Sequence, residues 1–275
     1  MGERSGSAAA AWRQALEAWA IPPEILARAP ESPWGCPRAL FERAAAHALA
    51  TTTESPSRAR AREALPPGGS VLDVGAGAGA ASLPLVPPAR TVFAVDVSDE
   101  MLHAFVQGAE RVGAEHREIK GQWPDTEIEA PVTDVAVCHH VAYNVANLAG
   151  LFGALDRHAR RRVVVELTER HPQSDLNDLW KQIHGIDRPS VPTADDAAAV
   201  AAELGFDVQL ERFEQTALWH GSERDERVAF ARRRLCVGSE YDPFISEWLA
   251  RSGEEVQNRK LVTLWWDSRS WQGDS

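Results

Sequence analysis

The chain has 275 residues, a formal net charge of −11 and a hydrophobic fraction of 44%, enough for a large buried core with accessory parts. The acidic balance disfavours DNA, RNA and anionic membrane as partners without excluding a local patch, and the basic runs at 157–162 and 231–235 are short enough to read as solvated faces. No apolar run approaches the roughly 20 residues that cross a bilayer, and the N-terminus passes from a short charged start straight into an amphipathic pattern, so a cytoplasmic protein without nucleic-acid or membrane partners is expected.

In chain order, residues 1–68 read as an N-terminal helical cap. Trp12, Leu16 and Trp19 share one helix face, a proline-broken stretch around Trp34 follows, and Phe41, Ala45, Ala48 and Leu49 share another face. From residue 69 strands and helices alternate: "SVLDVG", then a helix begun by "AASLPLV"; "TVFAVDVS", then "DEMLHAFVQGAERVG"; a short "HREIKG"; "VTDVAVCHHV", then "ANLAGLFGALDRHA"; and "RRVVVELT". Near-continuous Val/Leu/Ala runs suit strands covered on both faces, so the pattern predicts a doubly wound, mostly parallel α/β sheet. An insertion at 171–192 interrupts the rhythm before a helix that opens with a capping box at Thr193 and Asp196. A sixth strand, "DVQLERFEQ", a helical insertion at 219–257 and a last strand, "RKLVTLWWDS", complete a core running over 69–275.

The glycine-rich turn after the first strand carries the chemistry. Glycine reaches positive φ without strain and admits a ligand close to the backbone. Asp96, at the end of the next strand, lies 21 residues beyond Gly75, a spacing suited to an acid that accepts hydrogen bonds from ribose hydroxyls. Gly75, Gly77 and Ala80 also satisfy the G-x-G-x-x-A dinucleotide fingerprint, so the glycines alone leave NAD(P) open.

The runs "LDVGAGAG", "VDVSDEML" and "DVAVCHHVAYNV", in that order, resemble the class I S-adenosylmethionine-dependent methyltransferase family. The acid two residues before the first glycine, Asp73, is matched together with Gly75, Gly77 and Gly79. The resemblance covers residues 69–217 and the final strand. It implies a seven-stranded sheet with an antiparallel last strand and S-adenosylmethionine as cofactor. Asp73, Gly75, Ala76, Gly77 and Gly79 would lie along the cofactor, Asp96 on its ribose, and Val97 and Met101 on its adenine. Where the family often carries an adenine-binding acid this chain has "KGQWPD", so Gln122 and Trp123 are the candidates. An Asn-Pro-Pro-Tyr motif after the fourth strand is replaced by "CHHVAYN", which weakens any reading as an N6-adenine or glutamine methyltransferase.

Methyl transfer from a sulfonium needs alignment, and a proton-bearing acceptor also benefits from a base. His139, His140 and Tyr143 are the catalytic candidates. Strand alternation lets at most one histidine face the cofactor, with His139 on the cofactor and His140 or Tyr143 nearer the acceptor; the alternative is a buried, hydrogen-bonded histidine and a packing tyrosine. Trp34, Trp180 and His184 are candidate acceptor-binding residues, and Arg38 a candidate for the methionine carboxylate, each against simple packing. Cys36, Cys138 and Cys236 form no CxxC pair and read as isolated thiols, and no metal is expected. The leading expectation is a methyltransferase acting on a small molecule. The alternatives are an NAD(P)-dependent oxidoreductase, disfavoured because neither Tyr143 nor Tyr241 is followed by lysine at i+4, and a non-catalytic S-adenosylmethionine-binding regulatory protein.

Overall fold

A computed structural model of the chain describes residues 7–34, 38–51, 53–216, 224–251 and 258–269. Three helices, α1 (Ala8–Glu17), α2 (Pro23–Leu26) and α3 (Arg38–Ala50), precede α4 (Pro56–Ala64), which leads into β1 (Gly69–Val74). Then come β2 (Ala89–Asp96), α5 (Asp99–Val112), β3 (Glu115–Lys120), β4 (Thr133–His139), α6 (Leu148–His158) and β5 (Ala159–Thr168). The chain closes with α7 (Asn177–His184), α8 (Ala194–Glu203), β6 (Gln209–Thr216), α9 (Arg224–Arg234), α10 (Asp242–Arg251) and β7 (Asn258–Asp267).

The strands form one seven-stranded sheet in the order β3-β2-β1-β4-β5-β7-β6. The first five pair in parallel, and β7 is antiparallel to both β5 and β6. This is the doubly wound sheet that the alternation predicts. β3, on the edge, alternates exposed and covered positions, whereas β1, β4 and β5 are buried nearly throughout. The capping box forms as read, with Thr193 and Asp196 satisfying each other's backbone amides.

One expected element is missing. The stretch after the glycine turn makes only a single 3₁₀ turn, Leu83–Leu85, and no α-helix. Pro84 supplies no amide hydrogen, Pro87 and Pro88 stop the chain before β2, and the Ser82 hydroxyl turns back to the Asp73 carboxylate at 2.5 Å.

Within the stretch expected as a cap, α1 and α4 pack on opposite faces of the sheet. Trp12 of α1 is buried in the core formed with α6 and α8, and its indole donates to the Val145 carbonyl at 3.0 Å. On the other face, Ala61 and Ala64 of α4 pack on Val71, Val137 and Val164. A second apolar core joins distant segments: Ile21 and Ile25, Leu179 and Trp180 of α7, Val228 and Leu235 from the α9 region, and Ile245 of α10. The insertions after β5 and between β6 and β7 both leave the carboxyl edge of the sheet, so this second core stands beside that edge.

The basic runs are spent on acids. Arg157 meets Glu127 at 2.7 Å, Arg162 meets Asp267 at 2.7 Å, and Arg233 meets Glu31 at 2.6 Å. Cys138 and Cys236 are free and buried; Cys36 lies outside the described residues.

Candidate functional site

The turn that leaves β1 is built by positive-φ glycines at 75, 77 and 79. A Cβ on Gly75 would fall 2.2 Å from Val141 Cγ2, so only glycine lets the turn pass beneath the loop after β4. Asp96, at the end of β2, accepts from the Gly77 amide at 2.8 Å and the Ser98 amide at 2.9 Å. A carboxylate has about four lone-pair sites, so two such bonds leave acceptor capacity open. Asp73 is fully buried. Burial, partly offset by the Ser82 hydroxyl and reinforced by the Asp96 charge, pushes its carboxyl up to about 7. Its Oδ1 has no hydrogen-bond partner among the described residues.

Val97 is 64% exposed beside this turn, Met101 is half-buried and Gln122 is exposed. Trp123 is buried, with its ring edge-on to His158 at 5.0 Å, in the core shared with Val95 and Ile119. Phe41 of α3 reaches over the turn, 3.9 Å from where a Cβ on Gly77 would stand. Open cavities of about 450 and 210 Å³ flank α3, and Arg58 of α4 lines the larger of them.

At the carboxyl ends of β4 and β5 the register sets His139 opposite Glu166, and Glu166 opposite Thr263 of β7. Neighbours in register share a face, which is also that of Asp73. Strict alternation would send His140 to the other face. It does not, because His140 has φ +60°, outside the strand region. Both imidazoles therefore approach Glu166 Oε1: His140 Nε2 at 3.1 Å and His139 Nδ1 at 3.9 Å. The strand alternation expected to part the two rings thus breaks at His140.

Glu166 is buried, which by itself raises its pKa. The charges of His139 and His140 and the hydrogen bonds from His140 and Ser57 outweigh that and hold the carboxylate at about 2. The Ser57 hydroxyl also meets the Thr263 hydroxyl at 2.6 Å. Burial lowers the pKa of His139, against the opposing pull of Glu166, and its Nε2 is buried without a partner among the described residues. Arg58 and Arg259 add positive charge near Glu166.

Other sequence candidates lie elsewhere. Tyr143 is buried on the opposite face, stacked on Trp12 at 5.5 Å, and its hydroxyl donates to the Thr168 carbonyl at 2.8 Å. Burial first, then nearby acids, push its phenol pKa up. Trp180 is 1% exposed within the second core, and His184 Nε2 bonds the Leu235 carbonyl at 2.7 Å; both hold the insertion together. Trp34 is 56% exposed, and the Arg38 side chain lies outside the described residues. Among the described residues no group of three or more His, Cys, Asp or Glu could hold a metal ion.

Sequence reasoning missed Glu166, Ser57, Arg58 and Arg259. Glu166 had a signal: it is the lone acid inside the apolar run "VVVELT". Arg259 had none that separated it from Lys260.

A family model described as a methyltransferase domain matches residues 42–211. An uncharacterized protein of Haemophilus influenzae is 31% identical over 104 residues, 37% of this chain and 38% of that protein, so the chain spans little more than a third of the curated relative it matches. The fold is similar to that of a proposed methyltransferase from Bacillus halodurans (TM-score 0.53, 16% identity, 76% of this chain and 97% of that one). It is also similar to the YcgJ protein from Bacillus subtilis (TM-score 0.52, 16% identity, 78% and 97%). No helix among the described residues is long and apolar enough to cross a membrane.

Proposed function

The chain belongs to the methyltransferase-domain family, and from that premise we propose that it is an S-adenosylmethionine-dependent methyltransferase acting on a small-molecule acceptor, with His140 as the base. The observation that carries the reading is the His140–Glu166 pair, held at the same sheet edge as Asp73, the glycine turn and Asp96.

The residues fit the cofactor. Asp73 presents a buried oxygen with no partner among the described residues, the turn at Gly75 and Gly77 leaves backbone open to close approach, and Asp96 retains acceptor capacity. Asp96 would hold the ribose hydroxyls, and Val97 and Met101 would flank the adenine. Asp73 would lie toward the methionine end, and His139 would line the cofactor. The cofactor supplies a methyl group already activated on a sulfonium.

The remaining work is alignment and removal of a proton. Orientation alone is worth about 7–11 kcal/mol in favourable cases. His140 Nε2 faces the carboxylate and donates its hydrogen there, which leaves Nδ1 with the free lone pair. Nδ1 takes the acceptor's proton, and Glu166 stabilises the imidazolium that results. Glu166 suits that task because it stays ionised across the working pH range.

Calorimetry with S-adenosylmethionine and S-adenosylhomocysteine, with NAD and NADP as controls, tests the reading. Micromolar binding of the sulfur ligands alone, lost in Asp96→Ala, supports it. Binding of the dinucleotides alone overturns it.

A further inference from the structure

Arg259 stands near the start of β7, opposite Gln215 of β6, where this antiparallel strand enters at the carboxyl edge of the sheet. Two and four residues on, Leu261 pairs with Thr168 and Thr263 with Glu166. Side chains alternate along a strand, so Arg259 shares a face with Thr263 and hence with Glu166. It is half-buried, and among the described residues its guanidinium makes no hydrogen bond or ion pair. The charges it senses are those of Glu166 and of exposed Asp175, in the insertion after β5.

Three other covered arginines among the described residues are engaged by oxygen atoms. Arg58 donates to the Ala48 and Thr51 carbonyls, Arg162 pairs with Asp267 and Glu63, and Arg188 donates to the Trp19 and Ala20 carbonyls. A guanidinium does not shed its charge at working pH, and a charge withdrawn from water without a partner is costly. Glu166 lies near enough for its charge to be felt, but among the described residues no hydrogen bond or ion pair joins it to the guanidinium. His139 Nε2, on the other side of Glu166, is likewise buried and unbonded among the described residues. The edge of β4, β5 and β7 thus carries unspent polar groups on both sides of the Glu166 carboxylate.

We propose that Arg259 anchors a carboxylate on the methyl acceptor, which makes the substrate class of this site an anionic small molecule. The proposal rests on the methyltransferase reading of the same edge. The planar fork of a guanidinium matches the two oxygens of a carboxylate, and two parallel hydrogen bonds also fix orientation. With its carboxylate on the Arg259 guanidinium, the acceptor's reactive group is left to His140, beside Glu166.

The test uses the full chain saturated with S-adenosylhomocysteine and two matched probes, benzoate and benzamide, titrated by calorimetry at constant ionic strength. Wild type, Arg259→Gln and Arg259→Lys are compared. Wild type is expected to prefer benzoate by about tenfold or more, Arg259→Gln to lose the preference, and Arg259→Lys to keep part of it. Affinity for S-adenosylhomocysteine stays equal in all three. Absence of a benzoate preference in wild type, or its survival in Arg259→Gln, overturns the proposal. If Arg259→Gln does not fold, the lysine variant decides: weakening of benzoate but not benzamide supports the anchor, and equal affinities oppose it. Failure of wild type to bind S-adenosylhomocysteine is a separate result that overturns the underlying methyltransferase reading.

Discussion

His140 and Glu166 are joined twice. The imidazole Nε2 lies 3.1 Å from Oε1, and the His140 amide donates to the Glu166 carbonyl at 2.7 Å. The double link holds His140 at φ +60°, a conformation costly for any residue with a Cβ, and strain of this kind persists only where surrounding bonds enforce it.

His140→Gly keeps that backbone and deletes the ring. Methyl transfer is expected to fall about 10²–10⁴-fold, with binding of S-adenosylhomocysteine unchanged. Added imidazole should restore part of the rate. A loss that imidazole does not rescue would remove His140 from the base role.

Glu166 contributes to acid stability. Its folded carboxylate titrates at about 2, below its ordinary value, so its stabilisation is complete above the usual carboxylate range and is lost as pH falls toward 2. Unfolding free energies of wild type and Glu166→Gln, measured between about pH 2 and 6, should converge at the acid end. Parallel curves would contradict the charge network around Glu166.

Asp73 acts in the opposite direction. Its folded carboxyl is pushed up to about 7, so the unfolded chain ionises first and stability declines as pH rises from about 4 to 7. Asp73→Asn should flatten that decline, gain stability relative to wild type at neutral pH, and weaken cofactor binding. Denaturation across this range, paired with calorimetry, checks both halves. A variant that is less stable at every pH would show that the charge is compensated.

His171 is buried and stacked on Trp19 at 3.8 Å, and burial, aided by Arg188 and Arg234, pushes its pKa down to about 4. Its folded form stays neutral while the unfolded form protonates, so stability falls as pH drops from about 6.5 to 4, by about 2–3 kcal/mol in all. His171→Phe keeps a ring on Trp19 and should lose this part of the pH dependence. An unchanged slope would assign it to other groups.

Gly75→Ala meets two obstacles, a φ of +74° and a contact of 2.2 Å with Val141 Cγ2. A cost of about 2 kcal/mol or more is expected, with loss of cofactor binding. Adding Val141→Ala relieves the contact but not the dihedral, so the double variant should recover only part of the stability. Full recovery would show that the positive φ is not enforced.

The order of elements, the sheet class and the turn that follows β1 were legible in the sequence. Apolar runs such as "VLDV" and "VVVELT" can be buried only as strands covered on both faces, and the acid with three alternating glycines specifies a backbone that few other residues could follow. These are local properties, carried by residues adjacent in the chain. The missing helix after the turn was also local in cause, but the prolines that prevent it were outweighed by the expectation of strand–helix alternation.

The composition of the site was decided by tertiary structure. His139 meets Glu166 because β4 and β5 pair in one register, and a one-residue slip would have sent Glu166 to the other face. His140 joins them through a single dihedral that no periodicity encodes. Tyr143, from the same short run, turns to the opposite core, and Trp180 and His184 are absorbed by packing between segments far apart in sequence. Hydrophobic period and glycine spacing are set by each residue's own neighbours, so they can be read along the chain. Which side chains share a charge is set by register and packing between strands brought together only on folding.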